Sequence, residues 1–80
     1  MATLIKTDGK VVENYDATSL EKMQQAVGGY IEIVAIDQQM CLIVNEDGLS
    51  MGLSQNLWAS MMTDQLIVGD VIYINSNEIN

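Results

Sequence analysis

Two adjacent glycines, Gly28 and Gly29, separate a segment patterned as a helix from the strongly β-forming run Tyr30-Ile-Glu-Ile-Val34. This junction constrains the fold more than any other feature of the chain. Upstream, Leu20, Met23 and Val27 recur at helical spacing, with Gln24 and Ala26 at the margins, so one apolar stripe must lie on a sheet. Gly28 is placed to end that helix in a left-handed conformation, where a Cβ is penalised. Glycine pairs also cradle phosphates, but such pairs precede a helix and point N–H groups outward. This pair follows one and reads as punctuation. At the helix start, Thr18-Ser-Leu-Glu21 has the capping-box pattern, a hydroxyl with a carboxylate three residues later.

Strands flank the helix on both sides. Leu4 to Glu13 predicts a hairpin around Asp8-Gly9. A two-residue turn there sets Ile5 against Val12 and Lys6 against Val11, with Ile5 and Val12 towards the core. After the glycines, strands are expected over 30–36 and 40–45, joined at Asp37-Gln38-Gln39. The second is apolar on both faces, the mark of an interior strand. Asn45-Glu-Asp-Gly48 has turn chemistry. Ser54 to Met62 reads either as a short helix capped by Ser54, with Leu57, Trp58, Met61 and Met62 inward, or as an irregular loop. A last strand over 66–74, broken at Gly69-Asp70, precedes a polar tail from Ser76 to Asn80 that is expected to fray. The expected architecture is a single α+β domain over residues 1–80. It is a mixed β-sheet packed by one amphipathic helix, in β-grasp-like order: ββα, then three or more strands, with the second short helix as an option.

Size makes this core marginal. A chain of 80 residues buries only about 60% of the surface it exposes unfolded. Yet 49% of its residues are hydrophobic. That imbalance predicts a homo-oligomer, or a surface that receives a ligand.

Charge excludes more than it suggests. Eleven acidic residues stand against three lysines, with no Arg and no His, a net of −8. Nucleic acid is engaged through Lys and Arg, so direct nucleic-acid binding is not expected. Acidity serves solubility by self-repulsion, or serves a DNA mimic that occupies a basic groove. The acids are scattered, and no run exceeds Glu46-Asp47. One cysteine, Cys41, excludes an internal disulfide and suits a reducing cytoplasm. It lies in an apolar run with no His to activate it. No secretory leader is expected at Met1-Ala-Thr-Leu-Ile-Lys6, and no apolar stretch approaches the roughly 20 residues of a membrane span.

Neither catalysis nor metal binding finds its residues. Glu32, Glu46, Asp47, Asp64 and Asp70 show no metal-loop spacing. No catalytic residue, metal or cofactor is therefore expected, and the chain reads as no enzyme. Ligand capture is better served: Tyr30, Glu32, Asn45, Asn56, Trp58 and Tyr73 combine flat apolar faces with hydrogen-bonding tips. The same aromatics and amides also serve packing and turns. Trp58, Met61 and Met62 are the candidate interface, because aromatic and Met residues are enriched where proteins meet.

Several of these segments recur together in one family. The Asp-Gly hairpin, Val27-Gly-Gly-Tyr-Ile-Glu-Ile-Val34, Leu42-Ile-Val-Asn-Glu-Asp-Gly48, Gly52-Leu-Ser-Gln-Asn56 with Ala59, and Ile67-Val-Gly-Asp-Val-Ile72 stand in order along nearly the whole chain. Together they resemble the small family catalogued as domain of unknown function 3846. The positions that carry the resemblance are Gly28, Gly29, Tyr30, Glu32, Asn45, Glu46, Gly48, Asn56, Ala59, Gly69 and Asp70. At Leu57-Trp58 the chain departs from the family pattern, which is more polar or basic there. The resemblance implies a bacteriophage, plasmid or other mobile-element origin, and implies no activity or cofactor. The functional expectation is a non-enzymatic module in the bacterial cytoplasm that sequesters a small nucleotide-like signal or a host protein, as an anti-defence role requires. Its alternatives are a structural or regulatory oligomeric domain, and the acidic mimic.

Overall fold

Met40–Asn45 is an interior strand with a neighbour on each side: from Cys41 to Asn45 every residue is buried, and Leu42 and Ile43 are wholly so. The computed structural model describes residues 2–79. Its strands are β1 (Ala2–Ile5), β2 (Val11–Tyr15), β3 (Ile31–Ala35), β4 (Met40–Asn45) and β5 (Val71–Asn75). Helices α1 (Leu20–Val27) and α2 (Leu57–Thr63) follow β2 and β4. The protein is α+β, with one five-stranded sheet in the order β2-β1-β5-β4-β3.

Every strand pairing is antiparallel, which corrects the expected mixed sheet. The reason lies in the long connection from β4 to β5. It leaves the sheet after Asn45 and returns at Val71, with Ile43 paired to Ile72, so it begins and ends at the same end of the sheet. A parallel pair would need the chain to cross the sheet to its opposite end. An antiparallel sheet gives the β-grasp comparison no support.

Alternation along the strands divides the core in two. Leu4, Cys41, Ile43, Ile72 and Ile74 meet Met23 and Val27 of α1 on one face. Ile5, Leu42, Val44 and Val71 meet Ala59 of α2 and Ile67 on the other. Burial on both faces explains why β4 and β5 carry almost no polar residue.

Local chemistry corrects several boundaries. The hairpin loop is three residues rather than two: Ile5 pairs with Val11 and Leu4 with Val12, and the Lys6 N–H donates to the Lys10 carbonyl at 2.9 Å. A turn followed by Gly9 at φ 91° accommodates the extra residue. Ile5 is buried as expected, whereas Val12 lies on the outermost strand and stays exposed. Helix α1 is capped by Ser19, whose Oγ accepts from the Lys22 N–H at 3.1 Å. Thr18 is unavailable for this because its hydroxyl donates to Asp16 Oδ1 at 2.7 Å. Leu20 is exposed as well, since a side chain at the first helical position leans beyond the helix end. Gly28 does close the helix, at φ 83°, donating to the Gln24 carbonyl at 2.8 Å. The expected tail is ordered: Ser76–Glu78 form a 3-10 turn, the Ser76 N–H donates to the Gln39 carbonyl, and Ile79 packs on the α1-side core. Asn80 lies outside the described residues.

Candidate functional site

Asn56 decides what α2 shows to its surroundings. Its backbone N–H donates to the Ile67 carbonyl at 2.8 Å. Its side-chain nitrogen donates to the Ile5 and Gly69 carbonyls, both at 3.0 Å, and its oxygen accepts from the Ala59 N–H at 3.1 Å. Asn56, not Ser54, is therefore the cap of α2, and it is wholly buried. Pinned there, the short helix presents Ala59 to the sheet, where the small side chain permits close approach. Met62 follows on the same side, and Ser60 hydroxyl ties the helix to Ile67 through both its backbone groups.

That rotation turns the opposite side outward. Leu57, Trp58 and Met61 are 65%, 57% and 76% exposed, correcting the inward placement expected for them. Leu57 and Met61 stand one helical turn apart, with Trp58 beside them. From Gly48 to Thr63 the sequence contains no charged residue, in a chain whose net charge is −8. The outer face of α2 is thus an uncharged, apolar surface on a molecule of net charge −8. The interrupted charge pattern was the sequence signal for it, and Leu57 was the residue that the candidate interface lacked. Met62 does not belong to this surface, because it packs against the sheet.

A second feature lies at the end of β3 and β4. A cleft of about 320 Å³ opens beneath the β4–β5 connection, floored by Val34, Val44 and Ile67 and edged by Glu32, Glu46 and Asp47. No lysine lines it: Lys10 is 3.9 Å from Asp8 on the hairpin, and Lys22 pairs with Asp16 at the start of α1.

The expected ligand set is dispersed over these places. Glu32 and Asn45 meet at the cleft. Asn45 is buried, donating to the Val27 carbonyl at 3.0 Å and accepting from the Asp47 N–H at 2.8 Å, so its amide clasps the end of α1 to the turn. Tyr30 stands exposed just before β3, its carbonyl accepting from the Glu46 N–H. Tyr73 packs against the α2-side core, and Trp58 lies on the outer face of α2. Asn56 is wholly buried, with both its amide nitrogen and its oxygen engaged within the protein. The two asparagines hold the scaffold, and the aromatics do not converge.

Burial pushes the Cys41 thiol above its ordinary pKa, and its Sγ lies 3.7 Å from the Ile74 carbonyl, so thiolate chemistry is disfavoured there. Among the described residues, no group of three or more His, Cys, Asp and Glu side chains is placed to hold a metal ion, and no helix is long and apolar enough to cross a membrane. Searches of curated proteins and of solved structures give no match. A family model does match, over residues 1–79, and the chain belongs to that family, Domain of unknown function (DUF3846).

Proposed function

We propose that this protein is a non-enzymatic binding module of a phage or mobile element, and that it engages a host protein through the outer face of α2. The observation that carries this reading is the exposure of Leu57, Trp58 and Met61 on one short helix within a charge-free interval. Large apolar side chains clustered in water mark sites of association. Trp and Met are residue types that concentrate at the centre of interfaces.

Charge defines the partner's chemistry. The net of −8 draws a basic surface from a distance, while the uncharged α2 face permits dry contact at the centre. The partner is accordingly a protein with an apolar groove in a basic surround. A nucleotide-like signal is supported less well, since the cleft is edged by Glu32, Glu46 and Asp47 and offers phosphates no cation. The mimic reading needs carboxylates arrayed together, whereas Glu13 lies on β2 at one edge of the sheet and Glu32 on β3 at the other.

The test compares the wild-type protein with a Trp58→Ser, Met61→Ser double variant as baits in host lysate. A basic protein retained by the first and lost by the second is then purified, and its binding is titrated at two salt concentrations. Direct binding that weakens with salt is the expected result. Equal retention by both baits would refute the α2 surface.

A further inference from the structure

We propose that the outer edge of β3 is a self-association surface, on which β3 of a second copy pairs antiparallel about a twofold axis at Ile33. This inference goes beyond the α2 docking surface and does not depend on it.

The argument begins with where the backbone groups point. β3 is the last strand of the sheet. The Tyr30 carbonyl accepts from the Glu46 N–H at 2.9 Å, and the Ile36 N–H donates to the Met40 carbonyl at 3.0 Å. In an antiparallel ladder, bonded residues alternate with unbonded ones. Glu32 and Val34 therefore direct their N–H and C=O groups to β4, and Ile31, Ile33 and Ala35 direct theirs outward.

The two edges of the sheet are built differently. β2 has a register break against β1, carries Asn14 at φ 55°, and is flanked by Lys10, devices that blunt an edge. β3 pairs with β4 without a break from Ile31 to Ala35, and contains neither proline nor lysine. It is the edge left open to pairing.

Side-chain register fits a second copy as the occupant, against the general self-repulsion of a net charge of −8, because the edge is self-complementary about Ile33. With Ile33 opposite Ile33 of the second copy, Ile31 meets Ala35 and Glu32 meets Val34. All three outward residues then exchange both backbone hydrogen bonds. Two neighbouring registers also match outward groups. One sets Ile33 opposite Ala35 and Ile31 opposite Asp37, whose N–H already donates to the Met40 carbonyl, and so makes fewer bonds. The other sets Ile31 opposite Ile33 and forces Glu32 against Glu32 in the closer, unbonded pair. Like charges directly opposite one another are destabilising, so that alternative is disfavoured. The favoured register also sets Ile33, 52% exposed on the same side of the sheet as Ile43, against its copy. Directly opposite residues share a side of the sheet, so the dimer presents both α2 surfaces on one face.

Light scattering and equilibrium sedimentation at about 0.1 mM, where a micromolar dissociation constant is saturated, test this pairing. The wild type is expected at twice the 8.8 kDa protomer mass. Ile33→Lys, with an unchanged circular dichroism spectrum, is expected to weaken the dimer at least about tenfold, while Trp58→Ala leaves it intact. Amide exchange supplies a readout free of variants: the Ile31, Ile33 and Ala35 amides become protected as concentration rises. A wild type that stays at the protomer mass, or a dimer lost in Trp58→Ala and kept in Ile33→Lys, would overturn the proposal. A wild type at the protomer mass leaves capture of a host protein untouched, and equal retention by both lysate baits leaves the β3 dimer untouched, so the two readings fail separately.

Discussion

The side-chain amide of Asn56 donates to the Ile5 carbonyl at 3.0 Å and so fastens the first turn of α2 to the first strand of the chain. The bond joins residues 51 positions apart. It holds α2 on the sheet, and it aims Leu57, Trp58 and Met61 outward.

Removing that amide is therefore expected to be costly. Asn56→Ala leaves the Ile5 and Gly69 carbonyls and the Ala59 N–H without their partner in a site closed to water. A lost cap and unsatisfied buried groups together predict about 3 kcal/mol of destabilisation. Urea unfolding measures it, and a loss below about 1 kcal/mol would show that water replaces the amide.

The outer α2 side chains should behave in the opposite way. Trp58→Ala and Met61→Ala are expected to cost less than about 1 kcal/mol, because both residues are more than half exposed. Leu42→Ala, at a wholly buried position, should cost about 3 kcal/mol in the same assay. A large loss at Trp58 would mean that α2 turns its other side to the sheet.

Two glycines with similar dihedrals separate backbone strain from crowding. Gly28 at φ 83° has nothing within 4 Å of a built Cβ, whereas at Gly69, φ 82°, a Cβ would stand 2.8 Å from Leu53 Cδ1. Gly28→Ala should cost about 1 kcal/mol through its left-handed conformation alone. Gly69→Ala adds displacement of Leu53 and should cost more. Differential scanning calorimetry of the two variants ranks them, and equal shifts in Tm would contradict the crowding.

Acid should reveal the pair at the start of α1. The Lys22 ammonium, then the Thr18 hydroxyl and N–H, hold the Asp16 carboxyl at about 2, below its ordinary 3.8. A carboxyl with a lowered folded pKa contributes stability that is complete above 3.8 and is lost as pH falls towards about 2. Exposure keeps that contribution small. Denaturant midpoints across this window should fall less steeply for Asp16→Asn than for the wild type, and parallel curves would refute the assignment.

Elements whose cause is local were legible along the chain. Gly28 ended α1 because it directly follows Val27, the last apolar residue of the stripe, and is free to take positive φ. β4 was recognisable as interior from its unbroken apolar run, and Asp37 marked the β3–β4 turn, where its carboxylate accepts from the Gln39 and Met40 N–H groups at 2.8 Å. Caps failed by one or two positions, because Ser, Thr and Asn compete for the same N–H groups. Thr18 was already engaged by Asp16, and Asn56 had a better use than Ser54.

What the sequence determined by itself is the content of the sheet, the amphipathic helix across it and a surplus of apolar side chains over what so small a body can bury. Family membership was equally readable, being carried by the order of short motifs. Tertiary structure alone decided that the sheet is antiparallel, that Asn45 and Asn56 clamp the scaffold, and which side of α2 meets water. A seven-residue helix has too few turns for periodicity to fix its rotation. That choice was made by an amide reaching a carbonyl 51 residues away, a contact invisible to any local pattern.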